Sequence, residues 1–190
     1  MQDFGCFNLK QGFKYKFIDN FETSEIIEFL NSKKANWLKI EKENPLYFIY
    51  KDCLTIPLID LSLVYSHREI NDLVTTPILD SFKLIDLSTN ILKSLTTLNS
   101  GTTLRANIIK VPAHSRIQPF THKTLLSRVM RKYHIVLETN KLTFFRVGKE
   151  HRYMNVNECW EINNNEKFSL WNLGDTDRTD LIIDILPGKL

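Results

Sequence analysis

The chain has 190 residues, of which 43% are hydrophobic and 25% charged, the balance of an ordinary soluble globular protein with one sizeable core. Its formal net charge of +3 is small, which argues against nucleic-acid and membrane-surface binding, since both favour strongly basic chains. With 12 phenylalanines against 6 glycines, the chain offers no glycine-rich nucleotide loop and is expected to have an aromatic core.

The cysteines and the N-terminus indicate the compartment. Cys6, Cys53 and Cys159 are odd in number and widely spaced, so no CxxC zinc site is predicted, and free thiols suit a reducing compartment. The N-terminus is charged throughout, and no apolar run approaches the roughly 20 residues of a membrane helix. We therefore predict a cytoplasmic protein with neither a membrane nor a nucleic-acid partner.

The first hundred residues predict a mixture of helices and strands. A helix is expected over residues 24–33, capped by Thr23 or Ser24, because hydroxyl side chains favour the N-cap position. The apolar runs at 45–50 and 54–66 predict strands.

A second helix is predicted to begin at Ser88 and to stop at Gly101, because glycine favours helix C-termini. Its expected apolar face is Ile91, Leu92, Leu95 and Leu98.

From Leu104 onward, short β-type runs follow one another, separated by turn residues such as Asn140-Lys141 and Gly174-Asp175. Many short strands at this spacing predict a sandwich or jelly-roll barrel. We expect one compact domain, in which residues 1–101 contribute helices and strands that pack on a barrel formed by residues 102–190.

Three motifs in this second half lie in a recognisable order: RIQPFTH at 116–122, RKYHIVLETN at 131–140 and FSLWNLGDTDRTDLIIDILP at 168–187. Over about residues 102–187 this resembles the aspartyl/asparaginyl β-hydroxylase family, which is part of the 2-oxoglutarate/Fe(II) oxygenase superfamily. The resemblance implies a mainly β protein with N-terminal α elements. Its core would be a double-stranded β-helix, the jelly-roll barrel of cupins, with flanking helices.

The resemblance also implies where iron would bind. In the family, a histidine and often an acidic residue of the first motif join a histidine of the last to hold Fe(II). Phe120, His122 and Phe168 stand at these positions. A phenyl ring has no lone pair for a metal, and His122 alone cannot hold Fe(II). We therefore expect a site packed shut without iron. None of the five histidines lies beyond His151, so no shift of register restores the last ligand.

The positions that bind 2-oxoglutarate are better kept. Arg178 lies ten residues after Phe168, where the family has the arginine that bonds the far carboxylate of 2-oxoglutarate. His134 matches the histidine of the family's R-x-H strand, and Lys132 takes the place of its arginine. Lys132 and His134 point to the same face of a strand. If that face is the barrel interior, they form with Arg178 a cationic pocket for 2-oxoglutarate or another carboxylate.

Plainer interpretations stand beside these. Arg178 could be a solvated surface charge, His134 a satisfied core histidine and His122 an ordinary loop residue. His114 and His122 could instead meet a third ligand, His67 or His151, at a different metal site.

Two further groups have ordinary explanations. The basic residues Arg128, Arg131 and Lys132 fit a solvated strand edge, since they lack the aromatic pattern of RNA-binding modules. Trp160 and Trp171 are expected to fill the barrel core or its rim.

Two classes of function remain open. The first is a degenerate, iron-free family member that needs no cofactor and binds an acidic small molecule or peptide. The second is an enzyme: an active oxidoreductase with relocated ligands, or a metal-independent cupin-type isomerase or lyase. In the latter, His122, His134 or Lys132 would be the acid/base group. A homodimer is an alternative that the sequence leaves open.

Overall fold

A computed structural model describes residues 13–32, 35–42, 47–61, 75–77, 81–121, 124, 126 and 129–188. The helices within these ranges are α1 (Ser24–Asn31), α2 (Tyr47–Tyr50), α3 (Phe82–Leu87) and α4 (Thr89–Asn99). The strands are β1 (Tyr15–Asn20), β2 (Leu38–Lys39), β3 (Leu54–Leu61), β4 (Thr75–Pro77), β5 (Thr102–Val111), β6 (Arg116–Phe120), β7 (Arg131–Glu138), β8 (Thr143–Val147), β9 (Glu150–Arg152), β10 (Glu158–Ile162), β11 (Phe168–Asn172) and β12 (Arg178–Leu186).

The strands form two antiparallel sheets. The larger has the order β1-β10-β7-β12-β5-β3-β2, with β4 beside β3, and the smaller has the order β6-β11-β8-β9. From β5 to β12 the chain passes repeatedly between them: β5, β7, β10 and β12 belong to the larger sheet, and β6, β8, β9 and β11 to the smaller. Eight strands that alternate in this way between two facing sheets form a jelly roll. The predicted fold class is confirmed.

Two apolar cores lie on opposite faces of the larger sheet. Alternate residues of β12 show the division: Leu181 and Ile183 pack under α1, α3 and α4, whereas Ile182 packs between the two sheets. These three helices therefore cover the outside of the larger sheet, whereas Ile49 and Tyr50 of α2 pack with the core between the sheets. Within the described ranges, none of the helices is both long and apolar enough to span a bilayer.

The first helix begins close to its predicted start. Thr23 is the N-cap of α1, but its side chain makes no capping hydrogen bond. Its hydroxyl instead donates to Asn157 Oδ1 at 2.7 Å. The hydroxyl thereby ties the start of the helix to the loop before β10.

The strand predicted over 45–50 is wrong, because Tyr47–Tyr50 forms the helical turn α2. Ile49 and Tyr50 are both buried, while Phe48 is 77% exposed. Two consecutive buried residues do not fit the alternation of a half-buried strand. Leu54–Leu61 confirms the start of the strand predicted over 54–66, and residues 62–66 lie outside the described ranges.

The predicted apolar face of the second helix is partly wrong. Leu98 is 59% exposed, and the buried residues of α4 are Ile91, Leu95 and Asn99, at four-residue spacing. Asn99 is tolerated in this buried position because both its amide oxygen and its amide nitrogen make hydrogen bonds. Its Oδ1 accepts from the Tyr133 hydroxyl at 3.0 Å, and its Nδ2 donates to the Leu95 carbonyl at 2.6 Å.

Asn172, a residue that the sequence did not single out, joins three chain segments at one end of the barrel. It is fully buried. Its Nδ2 donates to the carbonyls of Val111 and Pro112, at 3.0 and 3.1 Å, and to that of Thr176 at 2.9 Å. Its Oδ1 accepts from Asn140 Nδ2 at 2.9 Å. Asn172 thus holds together the turns that enter β6, β8 and β12.

We expect Asn172→Ala to lower the free energy of unfolding by at least about 2 kcal/mol, because several buried polar groups would lose their partner at once. Urea denaturation followed by circular dichroism measures this. Asn20→Ala, at an exposed strand end, is the matched control and should change stability by no more than about 0.5 kcal/mol. Equal effects of the two substitutions would contradict the role given to Asn172.

Candidate functional site

Three aromatic rings fill the end of the barrel at which β6 ends and β11 begins. Phe120 and Phe168 face each other across these two strands, with ring centroids 6.2 Å apart in an edge-to-face arrangement. Phe168 also stacks on Phe145 of β8, again at 6.2 Å, and is buried. Both phenylalanines that the motifs singled out therefore lie together in the core between the sheets.

His134 of β7 lies in the same core and is 1% exposed. Its ring centroid is 4.8 Å from that of Phe145, and its Nδ1 is 3.3 Å from Asp180 Oδ2. Because a carboxylate can only accept, Nδ1 carries the hydrogen and Nε2 keeps its lone pair. Nε2 is buried and has no hydrogen-bond partner. Burial lowers the pKa of His134 despite its bond to Asp180, so the imidazole is neutral.

Arg178 begins β12 and is 1% exposed, so its interpretation as a solvated surface charge is wrong. Its Nε donates to Asp180 Oδ1 at 2.7 Å, and its Nη1 donates to Thr139 Oγ1 at 2.9 Å. Burial alone would raise the pKa of Asp180, but Arg178 and His134 outweigh burial and hold that pKa below its ordinary range. Asp180 thus joins two of the predicted site residues.

Lys132 lies on the same inner face of β7. It is 6% exposed, and its Nζ is 2.5 Å from Asp184 Oδ1. A second cation, Arg105, approaches the other carboxylate oxygen at 3.8 Å. The interpretation of Lys132 as part of a solvated strand edge is therefore wrong, although its neighbour Arg131 is partly exposed.

The structure brings together Lys132, His134 and Arg178 on the inner face, as the period of two along β7 predicted. They do not form an uncompensated cationic pocket, however. Asp180 and Asp184, which the sequence did not mark as site residues, balance the charges of Arg178 and Lys132. The interior is a set of buried ion pairs, and its use as a ligand site stays a prediction.

The remaining histidines do not form a second site within the described residues. His114, in the loop before β6, and His151, on β9, lie at opposite edges of the smaller sheet. His67 and His122 lie outside the described ranges. Among the residues described, no three His, Cys, Asp or Glu side chains come together in a way that could hold a metal ion.

The structure also locates most of the cysteines and the tryptophans named in the sequence analysis. Cys53 and Cys159 are buried free thiols, while Cys6 and Arg128 lie outside the described ranges. Trp160 packs at the rim of the inner core, as predicted.

For Trp171 the prediction is wrong. It is 40% exposed, because it lies on β11 one residue away from the inward-facing Leu170 and so points to the outer face of the smaller sheet.

The sequence profile of the aspartyl/asparaginyl β-hydroxylase family matches residues 80–187, more than half of the chain. The chain belongs to the aspartyl/asparaginyl β-hydroxylase family. The match begins at residue 80, so it extends the likeness read from the motifs to include α3 and α4. Among curated proteins, the sequence has no match.

Solved structures of other proteins are similar to this chain in fold. The chain is similar to an oxidoreductase of the 2OG-Fe(II) oxygenase family from Burkholderia pseudomallei, with a TM-score of 0.63 at 10% identity over 92% of this chain and 86% of that one. It is also similar to a predicted oxalate decarboxylase from Thermotoga maritima, with a TM-score of 0.38 at 17% identity over 50% of this chain and 73% of that one. A cupin protein from Bacteroides fragilis has a TM-score of 0.38 at 17% identity, over 45% of this chain and 68% of that one.

Burial of His134 makes stability depend on pH. Its pKa in the folded state lies below the ordinary value, so the unfolded chain takes up a proton that the native state does not. Stability from this group is therefore complete above about pH 6.5 and is lost as the pH falls below that value. Between about pH 7.5 and pH 5.5 we expect a loss of about 1 kcal/mol, measured by urea denaturation.

The loss of stability that comes from His134 should disappear in His134→Gln, whatever the absolute stability of that variant. Glu161, whose pKa is raised by burial, acts in the opposite direction and does so in both chains. His151→Gln, at an exposed position, is the control and should keep the pH dependence of the wild-type chain. Asp180 has a lowered pKa and contributes in the same direction only below about pH 5, outside the measured interval. An unchanged slope in His134→Gln would show that other groups produce the effect.

Proposed function

We propose that this member of the hydroxylase family does not carry iron chemistry and instead binds an acidic small molecule or peptide through its barrel. The observation that supports this most directly is the contact between Phe120 and Phe168. Two apolar rings face each other where the family resemblance places the two histidine ligands. Packing these rings with Phe145 stabilises the barrel without any bound metal.

The donor set does not fit a ferrous ion. Iron of this family needs two imidazoles and, in many members, a carboxylate on one face of the metal, and phenyl rings supply no lone pairs. Asp180 and Asp184 are already paired with Arg178 and Lys132. His134 is oriented by Asp180 and has only one free nitrogen.

One donor and one acceptor in the interior lack a strong partner, and the donor supports binding of a carboxylate. Among the described residues, the hydrogen-bond partner of Arg178 Nη2 is the sulfur of Met154, at 3.9 Å, and sulfur is a weak acceptor. A ligand carboxylate would replace that contact with a charge-assisted bond. The free Nε2 of His134 would accept a hydrogen bond from a ligand that also carries a hydroxyl or amide donor, which 2-oxoglutarate lacks. 2-Oxoglutarate is the first compound to test, because the matching arginine of the family binds it.

The test is anaerobic titration of the purified protein with Fe(II) and with 2-oxoglutarate, by elemental analysis and calorimetry. We expect less than stoichiometric iron, and binding of 2-oxoglutarate that is weakened in Arg178→Lys. That variant keeps the charge but loses the planar fork that matches a carboxylate. Arg146→Lys, on the outer surface of β8, is the matched control and should bind as the wild type does. One iron per chain would contradict the proposal.

One observation favours a second function. A neutral imidazole that is oriented by a carboxylate and keeps an unpartnered nitrogen can act as a general base, as a metal-independent isomerase or lyase requires. His134 with Asp180 has this form. For the other alternative, an oxygenase with relocated ligands such as His122, a turnover assay without succinate would exclude the activity. Proton exchange at C3 of a bound 2-keto acid, the carbon next to the keto group, followed by NMR and lost in His134→Gln, would support the isomerase or lyase.

A further inference from the structure

The outer face of the smaller sheet carries a continuous apolar patch. Leu142, Phe144, Trp171 and Leu173 are between 38% and 52% exposed. Phe144 and Trp171 lie opposite each other on β8 and β11, and the Leu173 amide donates to the Leu142 carbonyl at 3.0 Å, one step further along the same pair of strands. We call these four residues the outer patch. Grouped exposure of large apolar side chains is uncommon on a surface without a partner.

Cations border the outer patch. Arg116 lies opposite Trp171 on β6, and its guanidinium carbon is 5.5 Å from the centre of the indole ring. Further along β8, Arg146 follows Phe144 on the same outward face and lies opposite His151 of β9. Among the four strands of this sheet the single carboxylate is Glu150, and it lies opposite the inward-facing Val147. The outward positions of the sheet are therefore apolar, neutral or cationic.

A groove adjoins the outer patch at the β6 edge. It has a volume of about 410 Å³, and two residues of the outer patch, Trp171 and Leu173, line it. Its lining residues are Asp52, His114, Ser115, Arg116, Trp171 and Leu173. His114 is held at this edge by Asp175, whose carboxylate is 3.1 Å from the imidazole Nε2. The groove gives the flat sheet a recess next to Arg116, with room for a large side chain.

We infer that the outer patch is a docking surface for an acidic protein segment that also carries a large apolar side chain. The apolar side chain would pack on Phe144 and Trp171, and carboxylates beside it would reach Arg116 and Arg146. This goes beyond the proposed function, because it concerns the outside of the smaller sheet and does not depend on what the barrel interior binds.

The charges around the outer patch distinguish between three possible partners: a second copy of the chain, a nucleic acid and an acidic protein segment. A second copy packed face to face would place arginines of one patch near arginines of the other, which is unfavourable. A nucleic acid needs open aromatic faces for stacking and a wide basic surface. Two arginines form only a narrow basic border, and the net charge of the chain is only +3. An acidic segment satisfies both the apolar patch and its cationic border.

The experiment is selection of a random peptide library on the immobilised full chain, followed by fluorescence anisotropy with the selected peptides. We expect enrichment of sequences that combine Asp or Glu with an aromatic or leucine residue. Arg116→Glu/Arg146→Glu should weaken their binding about tenfold or more, since like charges would then face each other. The control Lys83→Glu/Lys93→Glu makes the same change of charge at exposed positions of α3 and α4 and should leave affinity within about twofold.

Several results would overturn the inference. These are no enrichment of any peptide, enrichment of sequences without acidic residues, or equal loss of binding in the two double variants. A concentration-dependent dimer that is lost in Phe144→Ser would identify a second copy as the occupant. Displacement of the selected peptides by a single-stranded DNA oligonucleotide would identify a nucleic-acid surface. Circular dichroism of each variant establishes that it is folded. Failure of these tests would leave the proposed barrel ligand unaffected, since iron and 2-oxoglutarate binding are measured separately.

Discussion

Arg178→Ala should lower the free energy of unfolding by about 3–5 kcal/mol, because it leaves a buried carboxylate without its cation. Arg178 and Asp180 are both almost fully buried, and the arginine holds that carboxyl ionised. His134 cannot take over this role at neutral pH, because burial keeps its imidazole neutral. A typical domain is stable by about 5–15 kcal/mol, so the variant should be close to unfolding at room temperature. Urea denaturation at neutral pH measures the effect.

Two comparisons make this result specific to the ion pair. Arg146→Ala, at an exposed position of β8, should change stability by no more than about 0.5 kcal/mol. Arg178→Met/Asp180→Leu, which removes both charges, should recover part of the loss, since apolar replacement of a whole buried pair is often tolerated. A double variant as unstable as Arg178→Ala would mean that the charge left behind is not the cause. The expected instability is also why the binding test uses Arg178→Lys.

Phe168→Ala should cost about 3–5 kcal/mol, the usual range for removing a buried aromatic ring. Phe168 is 2% exposed, and its ring contacts both Phe120 and Phe145. Deleting it would leave a cavity at the place where the family resemblance puts the last iron ligand. Thermal or urea unfolding of the purified variant gives the value.

Phe144→Ala is the matched control, because Phe144 is the neighbour of Phe145 in β8 but points outward. It should lose no more than about 1 kcal/mol, since much of its ring is already in contact with water. If both substitutions had the same small effect, the ring of Phe168 would not be part of the packed core. The interpretation of a site closed by packing would then lose its main support.

The pattern of the sequence predicted the barrel and the positions of its inner residues. Short alternating runs separated by turn residues are a local property, so the strands from β5 to β12 could be predicted without any knowledge of their partners. The period of two along β7 placed Lys132 and His134 on one face, and the order of the three motifs placed Arg178 near them. The family profile confirms the resemblance carried by these motifs.

The partners of these residues were decided by the tertiary structure. Asp184 meets Lys132 across 52 positions of sequence, and Asp180 meets His134 across 46, because β12 and β7 pair in one particular register. β12 is buried on both faces, so its burial pattern has no alternation to show which aspartates point inward. Tertiary structure also decided the conformation of α2 and the exposure of Trp171, because burial of these residues depends on what packs against them. The sequence by itself determined that the second half forms short strands and that Lys132 and His134 share a face. Cross-strand register and packing between the sheets decided that the cations are neutralised and that the tryptophan lies outside.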